Sequence, residues 1–190
     1  MPRIALFAFL APLLQGCTGP GLCIHGENWP YKIGTDRRAR DVSLDPVPTT
    51  IDELRAFPNP GRQPERIPPV ELMTYVLRDV ELHSFQRAPD GDVHMVLRDE
   101  HGHTMIIEAT PPFCTAPESP WIPQIKAVRK LVDDRIPNAM MGWRWETVSV
   151  AGIGYFDSVH GQLGVAPNGI ELHPILAMCW GRGCTLPSTR

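Results

Sequence analysis

From residue 71 onward, apolar and polar side chains alternate in short runs that turn residues punctuate, the period-two signature of half-buried strands. Residues 72–85 read as a long first strand with Thr74, Val76, Val80 and Leu82 on one parity. Ala88-Pro-Asp-Gly-Asp92 has the composition of a hairpin turn. Residues 93–98 form the second strand, with Val93, Met95 and Leu97 inward. After the tight turn Asp99-Glu-His-Gly-His103, residues 104–109 form the third, with Met105, Ile107 and Ala109 inward. The period then lengthens. Ile122, Ile125, Val128, Leu131 and Val132 recur at helical spacing, with Lys126, Arg129 and Lys130 on the other side. Ser119 reads as the N-cap and Pro120 as the first helical residue, and the helix stops by Pro137. Residues 146–157 return to strand periodicity, with Val148, Val150, Gly152, Gly154 and Phe156 on one face. Glycines there imply a sharp bend or close backbone approach. Asn168-Gly169 turns the chain into a last strand, 170–178.

Three strands, a helix and two strands are the order of a mainly β fold, the OB-fold-like five-stranded Greek-key barrel β-β-β-α-β-β. A split β-sandwich is the rival arrangement. Upstream the alternation is missing. The 21 prolines cluster at 44–69 and 111–123 and predict extended connections. Thr50-Ile-Asp-Glu53 is a capping box, so 51–57 is expected to be a short helix ended by Pro58. The chain therefore divides into residues 1–16, a signal peptide; 17–70, an irregular N-terminal extension; 71–178, the barrel domain; and 179–190, a tail.

The extreme N-terminus changes where this domain is expected to live. Met1-Pro-Arg3 is a short basic region, and residues 4–14 are an apolar run too short to span a bilayer permanently. Leu14-Gln-Gly-Cys17 resembles the bacterial lipobox, which implies cleavage before Cys17 and its lipidation. The expected place is the cell membrane or outer membrane, held by lipid. The alternative is an ordinary signal peptide and a secreted or periplasmic protein. Cys23, Cys114, Cys179 and Cys184 remain, and an oxidising compartment favours disulfides. The tight spacer of Cys179-Trp-Gly-Arg-Gly-Cys184 favours 179–184, leaving 23–114 to tie the N-terminal segment to the core. The net charge of −3 supplies no global basic field and disfavours nucleic acid as a partner.

One stretch is long and specific: His160-Gly-Gln-Leu-Gly-Val-Ala-Pro-Asn-Gly-Ile-Glu-Leu-His-Pro174. With Trp29-Pro-Tyr-Lys-Ile-Gly-Thr-Asp36, Pro69-Val-Glu71, His94-Met-Val-Leu-Arg-Asp99 and Thr104-Met-Ile-Ile-Glu108, it resembles a group of uncharacterised secreted bacterial proteins. The resemblance covers most of 29–176. It implies export and an OB-like fold, and no activity. Cys179 and Cys184 lie beyond it. Staphylococcal-nuclease-like domains share the barrel order, but Asp90-Gly-Asp92 is followed here by Val93 and His94, and no matching arginine–glutamate pair follows.

Candidate chemistry gathers late in the chain. Glu171 and His173 are two apart on one strand and leave the same face. Asp157 ends the strand before, and His160 begins the connecting turn. His160, Glu171 and His173 could hold a divalent metal ion such as zinc, manganese or iron, with Asp157 orienting a ligand or taking a proton from water. The competing reading is structural, since histidines at strand ends often bond loop backbone. His101 and His103 sit at a hairpin tip, and His94 points away from the Val93 side. Glu108 is a candidate acid in a binding groove, or a rim carboxylate paired with Arg98. Trp143 and Trp145 would lie on one side of an extended segment, with Arg144 opposite, as a stacking platform. Otherwise they pack between helix and barrel. With Asn168 in the neighbouring loop, these residues suit an unidentified envelope ligand or partner protein. Ser158 lies too close in sequence to Asp157 and His160 to form a triad with them. The sequence thus supports a ligand-binding or interaction module, or alternatively a metal-dependent hydrolase acting on phosphodiesters.

Overall fold

The computed structural model describes residues 23, 28–59, 61, 63–136, 138 and 140–190. The expected signal peptide and Cys17 lie outside the described residues. The fold is mainly β, with a six-stranded sheet and few helices. In chain order the elements are α1 (Trp29–Ile33), β1 (Ser43–Pro48), α2 (Ile51–Arg55), β2 (Met73–Arg87), β3 (Val93–Arg98), β4 (Thr104–Ala109), α3 (Ile122–Arg135), β5 (Met141–Phe156) and β6 (Ile170–Trp180). The strand order is β1-β2-β3-β4-β6-β5, and β2 also pairs with β5. All pairings are antiparallel except β1–β2 and β4–β6.

β3 and β4 have the expected bounds, and their Val93, Met95, Leu97, Met105, Ile107 and Ala109 all enter the main core. Elsewhere the structure corrects the expectation. β2 runs to Arg87 and β5 starts at Met141, because the two strands pair along almost their whole length. On β2 the core side is taken by Tyr75 and Leu77, not by Thr74 and Val76. The register shifts between Leu77 and Val80 and again between Leu82 and Ser84, so a single parity cannot describe the strand. Val76 is buried on the other face with Ala151 and Ala177.

The helix α3 begins at Ile122 behind Trp121, with Pro123 in its first turn. Ser119 sits just before it and accepts the Trp121 N–H. Ile125, Val128 and Val132 are its buried residues. Gly152 and Gly154 mark close approach. A Cβ at 154 would lie 2.6 Å from the Val70 carbonyl oxygen, and one at 152 would lie 2.9 Å from the Leu172 Cβ.

The segment expected to be irregular, 17–70, contributes three elements. β1 pairs parallel with β2. The α2 capping box forms as expected, and Ile51 and Leu54 enter the main core. Arg66 is buried and donates to Asp36 and to the carbonyls of Tyr31 and Glu71, fastening the segment. At the other end, β6 includes Cys179 and Trp180, and the tail returns so that Thr189 donates to the Leu44 carbonyl.

Both expected disulfides are present, Cys23–Cys114 and Cys179–Cys184. They imply a non-reducing setting. Among the described residues, no helix is long and apolar enough to cross a membrane.

Candidate functional site

Strand alternation sets up the site. Asp92, His94, Glu108, Glu171, His173 and Tyr155 each neighbour a residue of the main core: Val93, Met95, Ile107, Leu172 and Phe156. Their side chains therefore leave the opposite face of the sheet. Pairing gathers them. His94 lies opposite Glu108, Ile106 opposite Glu171, and Tyr155 opposite Glu171. Two covers then exclude water. The helix α1 delivers Lys32, and the 157–169 loop lies so close that a Cβ on Gly164 would meet the Val96 side chain at 2.4 Å.

The result is a buried charged cluster with His173 at its centre. The imidazole Nδ1 is 2.5 Å from Glu108 Oε2 and 3.1 Å from Glu171 Oε1. Its Nε2 lies 3.2 Å from Thr110 Oγ1 and 3.5 Å from Asp92 Oδ2. Glu108 also contacts His94 Nδ1 at 3.0 Å and Lys32 Nζ at 3.4 Å. Lys32 reaches on to Asp157 at 3.7 Å and lies over the Tyr155 ring at 5.7 Å. His94 Nε2 faces the Leu163 carbonyl at 3.3 Å, which ties the loop to the cluster.

Burial and mutual charge work against each other here. Burial and the Lys32 charge press His173 downward, but Glu108 and Asp92 outweigh them and hold the imidazole at about 10. Burial drives Asp92 up to about 7; His173 offsets part of this, and Glu108 adds to it. Glu108 is driven upward by burial, yet His173, His94 and Lys32 hold it well below the usual carboxylate range. Glu171 is raised by burial and by the Glu108 charge. Burial acts to lower Lys32, but Glu171, Glu108, Asp157 and Asp92 raise it. The arrangement can therefore store a proton on His173 beside one firmly ionised acid and two reluctant ones.

The cluster borders an open cleft of about 400 Å³, which Tyr155 and Asp157 also line. Tyr31, Asn28, Asn59, Gln63 and Glu65 form much of the remaining wall. The described lining includes carboxylates and no lysine or arginine.

The expected site residues are only partly brought together. Glu171 and His173 meet, and Asp157 joins them through Lys32. His160 lies apart. It is exposed, and its Nδ1 faces the Ser158 carbonyl at 2.8 Å, a contact made within its own turn. Glu108 is not a rim acid paired with Arg98, because that arginine pairs with Glu81. Asn168 lines the cleft, but its amide donates to the Leu54 and Phe57 carbonyls and accepts from Ile170 N–H. Its side chain is committed to fastening the loop onto α2.

Trp143 and Trp145 stand apart from the cleft on the outer half of β5, 52% and 61% exposed. Their rings are near-parallel, 15° and 6.2 Å apart, with His83 edge-on to both. The indole that packs between helix and sheet is Trp121. A second cleft of about 510 Å³ takes in Trp145, Glu81, Arg98 and Arg182. Beside the 99–103 hairpin, Asp52 of α2, half-buried Asp99 and His103 form a second group in which His103 is already paired with both acids.

Sequence reasoning missed Lys32, Asp92 and the engagement of His94. The parity of His94 and Glu108 was a usable signal, since both project from the face opposite the core. No family model matches the chain, and comparison with curated proteins and with solved structures gives no match.

Proposed function

We propose that the protein is an exported, lipid-anchored ligand-binding module of the cell envelope, built on an OB-like barrel, with its ligand in the cleft beside Tyr155 and Asp157. Export is supported by the basic and apolar N-terminus and by the two disulfides. The barrel reading is supported by the order β2-β3-β4-β6-β5, by the β2–β5 pairing, and by a helix between β4 and β5. The observation that carries the ligand reading is the cleft's shared wall. Tyr155 and Asp157 face both the cleft and the buried charged cluster, and strongly perturbed groups beside a cleft mark functional sites.

The lining specifies a class of ligand. Two tyrosines and several amides suit a hydroxyl-rich or amide-rich molecule. The described lining carries carboxylates and no lysine or arginine, and Lys32 behind it is already paired with Asp157, which favours a neutral or amino-substituted oligosaccharide over a phosphodiester. A hydrolytic reading has its own support in the buried pairing of His173 with Glu108 and Asp92.

Chemical-shift-perturbation NMR of the isotope-labelled protein with neutral and amino-substituted oligosaccharides tests the proposal, using wild type and Asp157→Asn. Shifts that map to the cleft and weaken in the variant support it. Shifts confined to the surroundings of Trp143 and Trp145, or absent throughout the series, overturn it.

A further inference from the structure

We propose that Asp92, Glu108 and His173 form a binding site for one divalent transition-metal ion, of the zinc or manganese class, on the wall made by β3, β4 and β6. The inference deepens the hydrolytic reading and does not depend on what fills the cleft.

The geometry is the first support. Each residue offers one ligand atom, and these atoms all lie within 4.8 Å of one another. They come from adjacent strands, Asp92 immediately before β3, Glu108 on β4 and His173 on β6. Asp92 is set firmly in place, since its N–H donates to Asp90 Oδ1 and its carbonyl accepts from Ala88 N–H.

The second support is independent of that spacing. The Asp92 carboxylate is fully buried, and neither of its oxygens has a hydrogen-bond partner. Its ion-pair partner among the described residues is His173, whose Nε2 lies 3.5 Å away. Burying a carboxylate without hydrogen bonds is strongly unfavourable, and such groups in native proteins are normally paired or coordinate metal. A cation in this position supplies the missing partner.

The chemistry of the set narrows the ion. Two carboxylates and an imidazole are hard-to-borderline donors of the kind zinc, manganese and iron accept. Calcium needs about six to eight oxygens, more than these residues supply. Three protein ligands would leave a coordination position for water or substrate. Glu171, at 3.1 Å from the His173 Nδ1, supplies a further carboxylate beside the histidine, of the kind that orients metal-bound imidazoles.

The test is calorimetric titration of zinc and manganese into the full-length, oxidised, chelator-treated protein, alongside Asp92→Asn and His103→Ala. The isosteric Asp92→Asn is chosen over changes at Glu108, and circular dichroism establishes that it folds. The expected result is one ion per chain at micromolar or tighter Kd, weakened about 100-fold or more by Asp92→Asn and unchanged by His103→Ala. No binding up to millimolar metal overturns the proposal. So does binding that a folded Asp92→Asn leaves intact, or that His103→Ala removes. The readout is binding alone, so absent hydrolysis with intact metal binding would sink the hydrolytic reading and leave the site standing.

Discussion

Replacing Glu108 with glutamine probes the buried cluster most directly, because it keeps the shape of the side chain and removes only its charge. In the metal-free protein that charge faces His173 at 2.5 Å, His94 at 3.0 Å and Lys32 at 3.4 Å. Removing one member of a buried ion pair costs about 3–5 kcal/mol. The lower end applies here, since Glu171 and Asp92 still face His173, and Asp157 still faces Lys32. A loss of about 3 kcal/mol would lower Tm by about 6–12 °C in a domain of this size. The pH dependence has a definite sign. The folded state holds the Glu108 carboxyl well below its ordinary value of 4.5. The stability it contributes is therefore fully present above about pH 4.5 and is lost as pH falls through the folded value. Urea unfolding followed by tryptophan fluorescence, from pH 7 down to pH 3, should show a gap between wild type and Glu108→Gln that closes on the acid side. A gap below about 1 kcal/mol at pH 7, or one of constant size down to pH 3, would refute an ionised Glu108 at the centre of the cluster.

The other predictions probe different parts of the same framework. His173, held at about 10, contributes stability that is fully present below about pH 6.5 and lost as pH rises through about 10; in metal-free protein, His173→Asn should flatten that alkaline limb in denaturant titrations. Gly169 has φ +73°, and a Cβ there would lie 2.3 Å from the Asp157 carbonyl oxygen, so Gly169→Ala should cost about 2 kcal/mol or more, read as a Tm lowered by at least ~4 °C. The Cys23–Cys114 bridge closes 91 residues and Cys179–Cys184 closes 5. On loop entropy alone their separate removal by serine pairs should cost about 4–5 and about 2 kcal/mol respectively, in calorimetric unfolding. Metabolic labelling with a palmitate analogue should mark the wild-type protein in a bacterial host and fail to mark Cys17→Ser.

The strands were legible where one rule governs a whole element. β3 and β4 flank the Gly-containing turn at 99–103 and keep one parity apolar, so their bounds and core residues follow from the sequence. β1 was not legible. Pro46 and Pro48 interrupt it, and as an edge strand exposed over most of its length it has no buried parity to show. α1 has five residues, too few to display a period. The same limit hid much of the site. Glu171 and His173 could be placed on one face by their spacing, but parity does not reveal what covers that face. His94 therefore read only as facing away from the core and Asp92 as part of a turn, and Lys32 had no reason to be joined to them. His160 carried the right chemistry in the wrong place, because its turn satisfies it locally.

The covering of that charged wall depends on a very small piece of chain. Lys32 rides on a helix of five residues, and Trp29 and Ile33 of that helix pack against Cys114, the partner of Cys23. A helix so short has little capacity to persist by itself in water. Side-chain contacts hold it against the sheet: Trp29 and Ile33 by packing, Tyr31 through its bonds to Arg66 and Pro64, and Lys32 by its pairs with Glu108 and Asp157. Oxidation adds a covalent tie beside that helix, because Cys114 is both the partner of Cys23 and the surface on which Trp29 and Ile33 pack. The bridge thereby couples the seating of Lys32 over His173 and its carboxylates to the redox state of the surroundings.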